Sequence, residues 1–196
     1  MIENISTIFV LICYAIFFGV TMKVADLLDE HGLKWFKGST IFFGFLWGVF
    51  GALIILSNNT IANIYLALIL AFVLRYRIDY LNHGIAATIM FLTFFAKQTI
   101  NWDTFLLFFM IFAFFGLFTD FFENKKQPKD ILFKFFRKFV DLRAQYYLFP
   151  FLYSLFTGIW LVFFMVGVNM LFYELTIRYG EHIIKRLGGI ITPKIS

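Results

Sequence analysis

Charge is what this sequence is short of: Asp, Glu, Lys and Arg make up 15% of its 196 residues, well under the roughly one quarter typical of a soluble domain. With 61% hydrophobic and 22% aromatic side chains, a water-soluble fold would lack the polar surface to cover its apolar atoms. Cysteine is almost missing. Its one example, Cys13, lies inside an apolar stretch, so the chain can form no internal disulfide and no cysteine-rich metal site. Catalytic signatures are missing as well: no H-E-x-x-H, phosphate loop or G-x-S-x-G occurs. The N-terminal apolar segment has neither a basic lead-in nor a small-residue cleavage site before Lys23, and is expected to be a retained helix.

What is there is a series of apolar stretches approaching the length of a membrane span. Hydropathy predicts an all-α integral membrane protein, a single polytopic domain over 1–196 with about six spans at 5–25, 39–56, 61–74, 84–96, 105–118 and 148–172. The third and fourth are short. If all six cross, the loops 26–38, 75–83 and 120–145 share one face. That face holds Lys23, Lys34, Lys37, Arg75, Arg77, Lys125, Lys126, Lys129, Lys134, Arg137, Lys138 and Arg143, against Lys97, Arg178, Lys185, Arg186 and Lys194 on the other. The positive-inside rule then makes the first face cytoplasmic and sets both termini on the opposite side. The net charge of +5 is read as loops facing anionic lipid head groups, with no nucleic-acid partner.

Two further stretches are amphipathic. Over 128–143 the charges Asp130, Lys134, Arg137, Lys138 and Asp141 oppose Ile131, Leu132, Phe135, Phe136, Phe139 and Leu142, the pattern of a basic interfacial helix opened by Pro128. The tail repeats it with Glu174, Arg178, Glu181 and Lys185, stopping at Gly188-Gly189. Small residues Gly44, Gly48 and Ala52, with Ala67 and Ala71, predict close approach of the second and third helices. Asn63 either lines a solute path or makes an interhelical hydrogen bond, the plainer reading being preferred.

The candidate site is a polar constellation on the first face. Asp26, Glu30 and His31 end the first helix, and Arg75, Asp79, Asn82 and His83 fall at i, i+4, i+7 and i+8, one stripe if the third helix runs on to Gly84; Arg77 points elsewhere. The expected metal ligands are Asp26, Glu30 and Asp79, for a divalent cation such as magnesium, manganese or zinc. Asp79, His83 and His31 are the expected acid/base groups. Arg75, Arg77, Lys34 and Asn82 would bind substrate, the guanidinium forks gripping phosphate. A plainer account makes Arg75 and Asp79 an ion pair and His83 a helix cap. The functional expectation is a membrane-embedded enzyme, a transferase or hydrolase of a phosphate-bearing lipid or isoprenoid. The alternatives are a subunit of a small-solute or ion transporter and a non-catalytic subunit of a larger membrane complex. The expected partners are membrane lipids and either a second copy of the chain or that larger complex.

Overall fold

The computed structural model describes residues 5–29, 33, 35–123 and 130–186. Among these the chain is helical without a strand: α1 (Ile5–Asp29), α2 (Ser39–Ser57), α3 (Asn59–Leu74), α4 (Leu81–Lys97), α5 (Trp102–Glu123), α6 (Ile131–Asp141), α7 (Gln145–Thr157) and α8 (Trp160–Arg186). Among the described residues four stretches are long and apolar enough to cross a membrane: Ser6–Asp29, Ser39–Ser57, Trp102–Phe122 and Trp160–Gly180. Helices α3, α4 and α7, with 16, 17 and 13 residues, are only about 20–26 Å long at 1.5 Å per residue. The fold is therefore that of an all-α membrane protein with four helices of spanning length, where hydropathy pointed to about six.

Helix directions follow from which residues meet. Gly19 of α1 lies against Asn169 and Tyr173 of α8, and Leu27 against Gly180, so the numbers rise together and the two helices are parallel. Gly44, Gly48 and Gly51 of α2 meet Asn82, Ala86 and Met90 of α4 in the same sense. Asn63 of α3 and Arg75, just past its end, bond to Asn101 and Asp120, before and within α5. The ends of α1, α3, α5 and α8 thus gather at one end of the bundle, with the starts of α2, α4 and α7.

The stretch 148–172 is not one helix: Gly158, at φ 74, turns the chain between α7 and α8, and the extra reversal returns α8 to the end where α1 finishes. The N-terminal end of α1 and the C-terminal end of α8 therefore lie at opposite ends of the bundle, not on one face. The charged tail stripe continues α8 without a break as far as Arg186. The small-residue ridge of α2 seats α4 rather than α3, because a Cβ at Gly44 would come 2.7 Å from the Asn82 backbone. Asn63 bonds to a loop rather than to a neighbouring helix: its amide donates to the Asn59 and Thr99 carbonyls and accepts from Asn101 N–H, stapling the α4–α5 loop. Helix α6 covers the central part of the predicted interfacial helix, capped by Asp130, whose side chain accepts from Leu132 N–H; Pro128 lies outside the described residues. Ile131, Leu132 and Phe135 are exposed beside Lys134 and Lys138.

Candidate functional site

Two helix ends deliver the arginines. Helix α3 stops because Tyr76 takes a left-handed conformation (φ 53); Arg77 N–H then reaches back to the Phe72 carbonyl and Tyr76 N–H to Val73. Helix α6 ends in the same way, with Arg143 at φ 52, Ala144 N–H on the Phe139 carbonyl and Arg143 N–H on Val140. Both are Schellman closures, which ordinarily use glycine at the left-handed position. Consequently the predicted stripe from Arg75 to His83 does not exist: residues 75–80 are not helical, and Arg75 and His83 meet through the tertiary fold.

A cavity of about 320 Å³ opens among these elements. Its polar wall includes Lys23, Asp26, Arg75, Arg77, His83, Arg143, Gln145, Tyr146 and Tyr173, and its apolar wall includes Met22, Trp47, Ile69, Phe72, Met90 and Met170. On one side Asp26 is the hub. Lys23 Nζ donates to its Oδ2 at 3.3 Å, Tyr173 Oη donates to Oδ2 at 3.0 Å, and His83 Nε2 lies 3.0 Å from Oδ1. His83 Nδ1 is 3.0 Å from the Arg77 carbonyl. A carbonyl only accepts, so Nδ1–H is the donor to Arg77, and Nε2 faces the Asp26 carboxylate. On the other side Asp120 bridges two arginines. Arg75 grips it through Nε at 2.8 Å and Nη2 at 2.9 Å, and Arg77 bonds to the same carboxylate. Gly116 leaves the space that the Arg75 side chain fills. Arg143 lies 4.6 Å from the centre of the Tyr173 ring, and among the described residues no carboxylate pairs with it. Burial opposes its charge, but Tyr173, Tyr146 and Glu174 outweigh that and hold the guanidinium above its ordinary pKa.

Of the residues expected from sequence, Asp26, Arg75, Arg77 and His83 come together. Arg77 does not point away; it joins Arg75 on Asp120. Asp79 stands 3.5 Å from His83 Nδ1 with its side chain 44% exposed and is not on the cavity wall, so the carboxylate that orients the imidazole most closely is Asp26. The ion pair between Arg75 and Asp79 is replaced by Arg75–Asp120. Asn82 is wedged against Gly44 and accepts from His83 N–H through Oδ1, away from the wall. Glu30, His31 and Lys34 lie outside the described residues. No three His, Cys, Asp or Glu side chains gather to hold a metal ion among the described residues, and Asp26 commits both its oxygens to protein partners. Asp120, Gln145, Tyr146 and Tyr173 went unseen in the sequence, and Arg143 was seen there only as one of the basic residues of the first face.

No family model matches this chain, and neither does a curated protein or a solved structure.

Proposed function

We propose that this protein is a membrane-embedded enzyme that takes the phosphate of a lipid or isoprenoid into the cavity and transfers or hydrolyses it. The observation that carries the reading is the charge of that space: Lys23, Arg75, Arg77 and Arg143 against Asp26 and Asp120, set in a wall otherwise made by Met22, Ile69, Phe72 and similar side chains. An excess of cations in a low-dielectric pocket stabilises a bound anion far more than in water, and the apolar wall suits the attached chain. Water or an acceptor hydroxyl attacks phosphorus as the ester P–O bond breaks; the His83–Asp26 pair, 3.0 Å apart on the wall, opens to give the leaving oxygen a proton and takes one back from the attacking oxygen, while Tyr173 holds the Asp26 carboxylate. The reading calls on no metal.

In the same reading the seven helices other than α6 all cross, and the cavity opens toward the cytoplasm. Among the described residues Lys97 is the one basic side chain at the far end of the bundle, a steeper asymmetry than six spans would give. Phosphorus analysis and native mass spectrometry of the detergent-purified protein test the proposal. Wild type should carry or take up about one phosphate-bearing lipid, and Arg143→Met should lose most of it. A wild-type protein that neither contains phosphorus nor takes up added anionic lipid would end the reading.

A further inference from the structure

Most of the charged groups on the cavity wall are spent on one another. Asp26 takes up Lys23, Tyr173 and His83, and Asp120 holds Arg75 and Arg77. Arg143 is not spent in this way. Its guanidinium meets the Tyr173 ring and, at 3.9 Å from Nη1, the Met170 sulfur, but no carboxylate among the described residues. Tyr146, three residues on, also lines the cavity. Its ring stacks on Phe112 with centroids 5.5 Å apart, and its hydroxyl makes no hydrogen bond among the described residues. Unlike Trp47 Nε1 and Gln145 Oε1, which are sealed inside the protein, that hydroxyl keeps open surface. The charges acting on it are those of Arg75 first and Arg143 second.

Charge decides which kind of anion these two groups would meet. Lys23, Arg75, Arg77 and Arg143 outnumber Asp26 and Asp120 by two, before any proton on the His83–Asp26 pair is counted. Asp79 lies off the wall with its side chain 44% exposed, and Glu174 is the weakest of the groups acting on Arg143. A phosphate diester carries one negative charge and leaves part of that excess unmet in a low-dielectric space, whereas a monoester carries close to two near neutral pH. Donor geometry agrees. A guanidinium fork grips two phosphate oxygens at once, and a diester has only two that are not esterified. A monoester has a third, for which a phenol O–H is a suitable donor.

We infer that the ligand of this cavity is a terminal phosphate, the monoester dianion of diacylglycerol or of a prenyl alcohol, rather than a phosphodiester head group. The inference rests on the phosphate reading above and narrows it. Arg143 grips two terminal oxygens, Tyr146 Oη–H donates to the third, and Arg75 and Arg77 add their field from beside Asp120.

The test is native mass spectrometry of the full chain in detergent, with released inorganic phosphate assayed alongside so that a monoester consumed on the protein still counts as bound. The probes are phosphatidic acid, a prenyl monophosphate, phosphatidylglycerol with the same acyl chains as the phosphatidic acid, and the corresponding diacylglycerol. At neutral pH wild type should bind at least one of the two monoesters about tenfold or more tightly than phosphatidylglycerol, and whichever monoester leads names the chain that the apolar wall accepts. Tyr146→Phe keeps the stacked ring and removes only the unbonded hydroxyl, so its melting temperature should hold while monoester binding falls about tenfold and phosphatidylglycerol binding changes less than about twofold. Phosphatidylglycerol bound as tightly as the better monoester would overturn the dianion and leave the anion reading standing; that comparison uses wild type and depends on no variant. Undiminished monoester binding by Tyr146→Phe would overturn the seat at that hydroxyl. Diacylglycerol bound as tightly as phosphatidic acid, or binding of no probe at all, would remove both readings.

Discussion

Two residues end their helices in a backbone conformation that favours glycine, and the two differ in what they contribute. Tyr76 is 90% exposed, so its side chain supports nothing inside; Tyr76→Gly should raise stability by about 1 kcal/mol by removing the left-handed penalty, read as a higher melting temperature in detergent. Arg143 holds the same strain while placing a cation over Tyr173, and Arg143→Gly should gain little stability and lose lipid retention. Asp26 is the most exacting position. Asp26→Ala strips three donors of their acceptor and strands Lys23 in a buried site, a loss expected at about 3–5 kcal/mol. Asp79→Ala, by contrast, should alter lipid retention less than about twofold, because the side chain is half in solvent and off the cavity wall; a collapse of binding would return Asp79 to the site. Sequence reasoning reached Asp26, Arg75, Arg77 and His83 since charges beside apolar helices stand out. It could not reach Asp120 or Tyr173, whose partners are 45 and 147 residues away.

At the scale of elements, the glycine face of α2 fixes how closely α4 approaches, and with it where His83 sits. Gly44→Ala introduces a methyl 2.7 Å from the Asn82 backbone, which cannot move aside as a side-chain tip would. The expected loss is roughly 1–3 kcal/mol, with reduced lipid retention, both measurable on one detergent preparation. Helix α6 invites a different test. Neutralising Lys134, Arg137 and Lys138 together should weaken association with anionic lipid vesicles and leave the stoichiometry of the cavity lipid unchanged; an unaltered vesicle dependence would count against an interfacial role. Helix existence was legible for most elements, because apolar runs and amphipathic spacing survive any tertiary arrangement. Helix partners were not: the same ridge at Gly44 and Gly48 would suit α3 or α4, and only the packed bundle decides. The break at Gly158 was missed since apolar residues flank it on both sides and hydropathy averages across a two-residue turn.

For the molecule as a whole, that one turn changes the parity of the chain. On a Cys13→Ser background, Trp35→Cys and Tyr179→Cys should react with an impermeant thiol reagent from one side of sealed vesicles and Ile100→Cys from the other. Tyr179→Cys reacting with Ile100→Cys would restore the six-span arrangement. The pairing of α1 with α8 has a consequence for how the protein is made. Lys23 and Asp26 are synthesised early, yet Tyr173, which helps to hold them, follows Asp26 by 147 residues, about 7–30 s at about 5–20 residues per second. Until then the first helix sits in the bilayer with charges only partly met and an open glycine groove at Gly19. A nascent chain stopped before α8 would keep that first helix unfinished, with Asp26 lacking its Tyr173 donor and Gly19 uncovered.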